Sequence, residues 1–242
     1  MLYIDNRLSK IKISGKGVGY VTNDFIPKNT IILREKPKFY VELNKNTISD
    51  VFEILYKILK SDNQISLSEF YNLPPKSRLN FDKYEANIFI ELNKLKNTNF
   101  HYIYKFFINN FNIHQLTLFC AKYMCNAFEF GNGSAILFES AKFNHSCLPN
   151  VIFGKVKDEM WFITIKDIES GQEICDNYVD ITQNIQNRQN RLLEQYNFQC
   201  KCDRCTCYDK HSIKYYDKKA KKINAKKTKF NSYVKKLNKS SH

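Results

Sequence analysis

The sequence predicts an α+β protein, and three observations carry that expectation. Short runs rich in β-branched and apolar residues fill the first forty positions and return after Asn126. Between them lies a block of about eighty residues whose apolar positions recur every three or four residues, the period of a helix with one buried face. The chain closes with a cysteine-rich segment and a lysine-rich tail. With 242 residues, 43% hydrophobic and 14% aromatic, it is long enough to bury a sizeable core in one domain or two.

In chain order, residues 1–40 read as short strands and turns: "LSKIKIS", then "GKGVGYV", a turn at "IPKN" and a strand at "TIILREKP". Residues 41–119 read as helices. "ISDVFEILYKIL" puts Ile48, Val51, Phe52, Leu55, Ile58 and Leu59 on one apolar face, and "YEANIFIELNKL", "FHYIYKFFINNF" and "HQLTLFCAKYMCNAF" continue in the same manner. Residues 120–182 bring strands back in "SAILFE", "NVIFGKV" and "MWFITIKDI", with "ESGQEI" as a turn before "CDNYVD". Residues 183–207 combine a helix, "ITQNIQNRQNRLLEQYNF", with "CKCDRCTC". Residues 208–242 hold twelve Lys and two Asp, a net +10 of the chain's +14, so residues 1–207 carry only +4. The basicity therefore belongs to the tail, which composition allows to be a helix or disordered, and which suits an acidic protein or nucleic acid as partner.

There is no 18-residue apolar run, and "MLYIDNRLSKIK" has no continuous apolar segment of the signal-peptide kind. The expectation is a nuclear or cytoplasmic protein with no membrane partner. Two consequences follow for its motifs. The formal glycosylation sequon Asn144-His145-Ser146 is idle, and the eight cysteines read first as metal ligands, not as disulfides. Cys200, Cys202 and Cys205, at i, i+2 and i+5 in a polar turn, can face one point. Zn²⁺ takes four ligands at about 2.3 Å, which leaves a position for Cys207 or for a distant cysteine. Cys120, Cys125 and Cys175 stand beside apolar residues and suit buried small hydrophobes.

"FNHSCLPNV", from Phe143 to Val151, crowds Asn, His, Ser, Cys and a Pro-Asn pair between two apolar runs. A thiol nucleophile pairing Cys147 with His145 is disfavoured, because catalytic pairs normally come from separate segments brought together by the fold. The glycine loop also fails the dinucleotide fingerprint: Gly15-x-Gly17 is followed by Val18-Gly19-Tyr20, with neither glycine nor alanine at position 20.

Taken in order, "GKGVGYV", "CNAFEF", "FNHSCLPN", "GQEICDNYVD" and "YNFQCKCDRC" resemble the SET-domain protein lysine methyltransferases, and within them the SET-and-MYND subfamily. The resemblance implies a SET fold of several short-stranded sheets with a C-terminal pseudoknot, a helical insertion and a zinc-bound post-SET segment. It implies methyl transfer from S-adenosylmethionine to a lysine amine of a histone or other basic protein. Tyr178 then corresponds to the catalytic tyrosine and Tyr196 to a wall of the lysine channel. Lys16, Gly17, Val18, Gly19, Asn126, Asn144, His145, Tyr178 and Phe198 correspond to cofactor-binding positions. Cys147 completes about one zinc site with Cys200, Cys202 and Cys205, and ranks ahead of Cys207. Taken singly, several of these have structural uses, such as Asn144 closing a turn or His145 serving as a satisfied buried group.

Two departures limit the resemblance. No Cys/His cluster of the MYND kind precedes Cys120, and a short basic tail stands where the subfamily continues into a large helical domain. Substrate recognition by those parts is not carried over. Two other classes compete: a SET domain that binds partners without catalysis, and a zinc-stabilised nucleic-acid binder. The second leaves the glycine loop and "NHSCLPN" without a use.

Overall fold

The computed structural model describes residues 2–42, 50–77 and 81–234. Its strands and helices, in chain order, are β1 (Leu2–Ile4), β2 (Leu8–Ile13), β3 (Gly17–Thr22), β4 (Ile31–Glu35), β5 (Phe39–Glu42), α1 (Asp50–Leu59), α2 (Gln64–Asn72), α3 (Glu85–Asn93), α4 (His101–Asn110), α5 (Ile113–Asn126), β6 (Ala127–Phe130), β7 (Gly133–Ile136), β8 (Asn144–His145), β9 (Val151–Val156), β10 (Glu159–Thr164), β11 (Glu173–Asp176), α6 (Ile185–Tyr196), α7 (Asp203–Thr206) and α8 (Lys210–Thr228). The α+β expectation agrees with this order. Among the described residues no helix is long and apolar enough to cross a membrane.

The chain divides into two compact units, Met1–Lys36 with Glu139–His242, and the continuous segment Pro37–Phe138. In the second unit a small antiparallel sheet, in the order β5-β7-β6, accompanies the helices. Helix α1 buries Phe52, Ile54, Leu55 and Ile58, and Phe52 meets Phe107 of α4 edge to face at 5.9 Å. Ile48, expected on this face, lies outside the described residues. Helix α5 begins with a capping box between Asn112 and Gln115 and runs through the boundary drawn at residue 119, ending at Asn126. Within it Lys122 is buried, its ammonium held by the carbonyls of Tyr71, Leu73 and Pro75. Cys120 is buried as expected, and burial pushes its thiol up to about 12.

The first unit contains two four-stranded sheets, β1-β4-β10-β9 and β2-β3-β11-β8. In the second of these, β2 and β3 form a hairpin from Leu8↔Thr22 to Ile13↔Gly17. Gly17 adopts φ 84°, a left-handed conformation open to glycine at little cost. The other edge is a parallel pair, Cys175↔Asn144 and Asp176↔His145. Asn150 laces this edge: its Oδ1 accepts from Cys175 N at 2.8 Å and its Nδ2 donates to Glu173 O at 2.8 Å. Aromatic packing lies beneath, with Phe143 4.7 Å from Phe162 and 5.2 Å from Tyr20.

Of the two states that its composition allows, the tail takes the helix, and it packs against the first unit's own sheet. Helix α8 and the residues after it bury Ala220, Ile223, Phe230 and Val234 against Ile152, Ile163, Ile165 and Ile181. Gly154 on the edge strand β9 makes room for this docking, because a Cβ there would lie 2.5 Å from a ring carbon of Phe230. Lys227 stands 4.0 Å above the Phe153 ring. Apolar burial outweighs the self-repulsion of the lysines, which mostly line the helix faces turned away from this cluster.

Candidate active site and metal centre

The parallel pair β8 and β11 brings "NHSC" alongside "CDNY", so a motif at residue 144 and another at residue 175 become neighbours. Just beyond β11, Tyr178 turns inward and donates from its hydroxyl to the Phe143 carbonyl at 2.7 Å. Burial raises its pKa well above the usual tyrosine value, and the neighbouring Asp176 adds to the effect. The phenol stays protonated at neutral pH.

Helix α6 positions the partners of that tyrosine. It ends at Tyr196, and Asn197 adopts the left-handed conformation, φ 58°, that reverses a chain after a helix. The reversal sets Tyr196 and Phe198 on either side of the bend with their rings 6.4 Å apart. Tyr178 packs against both, at 4.8 Å from Tyr196 and 6.4 Å from Phe198. His145 joins the group at 5.3 Å from Tyr178 and 6.0 Å from Phe198.

Four sulfurs lie beside this aromatic group. Cys147, Cys200, Cys202 and Cys205 place their Sγ atoms within 4.8 Å of one another, so the distant cysteine joins the triplet. Cys207 is outside the set and its Sγ contacts the Arg204 carbonyl at 3.4 Å. A tetrahedral zinc ion at about 2.3 Å from each sulfur needs sulfurs about 3.8 Å apart, so the cluster fits zinc with small adjustments. Local structure explains the convergence. The turn of α7 bonds Cys205 N to Cys202 O at 2.7 Å, and Gln189 of α6 holds Cys200 through both its backbone N–H and its C=O, each at 2.8 Å. Hydrogen bonds shared among the four sulfurs lower Cys200 and Cys202 and raise Cys147 and Cys205, so without a metal the cluster shares its protons unequally.

The second layer supplies donors to these sulfurs. Arg188, 2% exposed, directs Nε to Cys147 Sγ at 3.3 Å and Nη2 to Cys205 Sγ at 3.7 Å. Arg204, also buried, donates to the Cys147 and Ile181 carbonyls at 3.4 and 2.6 Å. His145 Nδ1 accepts from the backbone N–H of Tyr178 at 3.0 Å, which leaves the proton on Nε2, and Nε2 faces Cys147 Sγ at 3.3 Å. Both ring nitrogens of His145 are therefore used within the protein.

Lys16, Gly19 and Asn144 meet at a third cluster in the same unit. Lys16 forms an ion pair with Glu173 at 2.5 Å, and Glu173 also accepts from Asn144 Nδ2 at 2.9 Å. Gly19 lies so close to Asn144 that an added Cβ would approach its Nδ2 to 2.5 Å. Val18, between the two glycines, is half exposed. Asn126 belongs to the other unit, where it donates to the Pro74 and Lys122 carbonyls at 2.6 and 2.7 Å. Its amide is engaged in closing the end of α5.

Sequence reasoning missed Glu173, Asn150, Asp176, Arg188 and Arg204. Glu173 and Asn150 lie inside quoted motifs but read as turn residues. Arg188 falls in a polar helix with nothing to distinguish it from Arg191. Asp176 is buried with its Oδ1 lacking a hydrogen-bond partner among the described residues, and burial pushes its carboxyl up to about 8 although Lys227 pulls the other way.

Comparison with known proteins agrees with this geometry. Residues 17–179 match the SET domain family. The SET domain-containing protein L678 of Acanthamoeba polyphaga mimivirus is 46% identical over 209 residues, covering 86% of this chain and 81% of the viral protein. Human N-lysine methyltransferase SMYD2 is 33% identical over 105 residues, 41% of this chain and 24% of SMYD2, so the chain spans about a quarter of that relative. Among solved structures, the SET domain of LSMT bound to MeLysine and AdoHcy aligns with a TM-score of 0.62 at 13% identity, over 86% of this chain and 56% of that one. That alignment shows a shared fold. With the family match spanning most of the chain and the viral relative covering nearly all of it, the protein belongs to the SET-domain family.

Proposed function

We propose that this chain is an S-adenosylmethionine-dependent protein lysine N-methyltransferase, acting on a lysine ε-amine of a histone or another basic protein in the nucleus or cytoplasm. The observation that carries the proposal is the Tyr178 phenol, half-buried and kept neutral at the meeting point of the aromatic group and "NHSC". The names of the relatives point the same way: SMYD2 is an N-lysine methyltransferase, and the LSMT domain was solved with MeLysine and AdoHcy.

S-adenosylmethionine, when bound, supplies a sulfonium methyl carbon open to in-line attack. The chain's own residues handle position and water. Tyr178, with its proton given to the Phe143 carbonyl, turns its oxygen lone pairs toward an incoming amine and orients it. Tyr196 and Phe198, packed against the Tyr178 ring, exclude water and attract a cationic side chain through their ring faces. Lys16 and Asn144 serve the polar end of the cofactor, and Phe198 its adenine. Cys147, Cys200, Cys202 and Cys205 would hold zinc, which would cross-link the segment carrying Phe198 to the loop carrying His145 and keep these groups in register. The tail's outward lysines, among them Lys214, Lys218, Lys221 and Lys222, remain a surface suited to an acidic protein or nucleic acid.

Transfer of radiolabelled methyl to core histones and to a cell lysate tests the proposal. Tyr178→Phe is expected to lose about a hundredfold in rate while binding S-adenosylmethionine as wild type does. Wild-type transfer no higher than that of Tyr178→Phe, with cofactor binding measured for both, refutes the assignment and favours a partner-binding SET domain.

A further inference from the structure

Glu173 sits where two cofactor-side residues meet, and no role had been expected of it. Its two oxygens are divided between them: Oε2 takes the Lys16 ammonium at 2.5 Å and Oε1 takes Asn144 Nδ2 at 2.9 Å. The three groups come from different parts of the chain. Lys16 precedes β3, Asn144 opens β8, and Glu173 opens β11, where it stands opposite Val21 while Cys175 stands opposite Asn144. The convergence is thus built by strand register. Neither side chain of the ion pair is buried completely; Lys16 is 46% and Glu173 20% exposed, so a ligand can reach both.

The chemistry of an amino-acid head group sets what such a site must do. The head is a zwitterion, an α-carboxylate next to an α-ammonium. Lys16 answers the carboxylate but would leave the ammonium beside a like charge. Glu173 supplies the missing negative charge, and by holding Nδ2 it orients the Asn144 amide with Oδ1 as the acceptor for a second N–H. Gly19 leaves that amide the space it occupies.

Resting on the cofactor assignment above, we infer that Glu173 is the counter-ion for the α-ammonium of the cofactor's amino-acid head, and that the Lys16–Glu173 ion pair is the ligand-free form of this subsite. On binding, the α-carboxylate replaces Glu173 at Lys16 Nζ, and Glu173 accepts from the α-ammonium while keeping Asn144. The protein gives up one ion pair and gains two charge-assisted contacts with the ligand.

Isothermal titration of the zinc-loaded full chain with three ligands tests this. S-adenosylmethionine carries both head-group charges, its decarboxylated form carries only the ammonium, and 5′-methylthioadenosine carries neither. Glu173→Gln keeps an oxygen for Asn144 Nδ2 but loses the charge. It is expected to bind the first two ligands about tenfold to hundredfold more weakly and the third within about twofold of wild type. Lys16→Met is expected to weaken S-adenosylmethionine and spare the decarboxylated ligand. Unchanged binding of all three ligands by Glu173→Gln overturns the inference, as does an equal loss for all three, which would give Glu173 a purely structural role. Wild-type protein that binds none of the three removes the cofactor assignment itself.

Discussion

The docked tail makes a prediction that a free basic arm would not. Phe230 is 5% exposed and lies on Gly154, surrounded by Ile152, Ile163, Ile165, Ile181, Ile223 and Val234. Truncating a buried phenylalanine to alanine costs about 3–5 kcal/mol, and a site on an edge strand that can partly collapse belongs near the lower figure, about 3 kcal/mol. For a protein of this size that corresponds to a fall in Tm of about 6–12 °C. The single tryptophan, Trp161, packs on the same cluster, so its fluorescence during urea or thermal unfolding reports the change directly. Gly154→Ala provides the second arm, because its Cβ would overlap the Phe230 ring at 2.5 and 2.6 Å and so cost about 1–3 kcal/mol. Once Phe230 is alanine both ring contacts are gone and only its Cβ, at 3.1 Å, stays close. The double variant should therefore be less destabilised than the two single changes summed, by about 1 kcal/mol or more. A Phe230→Ala protein within about 0.5 kcal/mol of wild type, or strictly additive behaviour in the cycle, would show that the tail does not dock in this way.

Two further predictions concern groups near the site. Cys147→Ser should lower bound zinc well below one ion per chain, whereas Cys207→Ser, which lies outside the sulfur cluster, should leave it unchanged; metal analysis after gel filtration decides between them, and the reverse result would hand the fourth position to Cys207. Asp176 keeps its proton in the folded protein up to about pH 8 but loses it near 3.8 once unfolded, so over this window the native state binds more protons and stability falls as pH rises. Asp176→Asn should flatten the dependence of Tm on pH between about 4 and 8, and an unchanged slope would place the effect on another group.

The legible parts of the chain were those in which chemistry and local spacing coincide. Cys200, Cys202 and Cys205 could be read as ligands because three thiols in six residues face one point in any tight turn. Cys147 could be added only through the family resemblance, since nothing local ties residue 147 to residue 200. The parallel pair β8 and β11 explains why Tyr178 was singled out only through the family motif and Glu173 was not singled out at all. It is set by two residue pairs from segments about thirty positions apart, too short a ladder to leave a periodic signal, so a residue in "GQEI" looked like turn material. For Asn126 the family motif suggests a ligand contact, and the structure adds what the motif does not carry: its amide donates to the Pro74 and Lys122 carbonyls of its own unit. The tail was obscured by composition. Its buried residues Ala220, Ile223, Phe230 and Val234 are sparse among lysines, and charge dominates any sequence average there.

The division of the chain also sets an order of assembly during synthesis. Strand β3 is complete at Thr22, yet its partner β11 begins at Glu173, and β4 likewise awaits β10. At about 5–20 residues per second, the roughly 150 residues that separate β3 from β11 keep that edge of the hairpin unpaired for about 8–30 s. The continuous segment Pro37–Phe138 has all of its own strands and helices about 2–7 s before then. It can fold while the outer halves of the first unit wait, and Tyr178 and the sulfur cluster come together only when the last third of the chain has emerged.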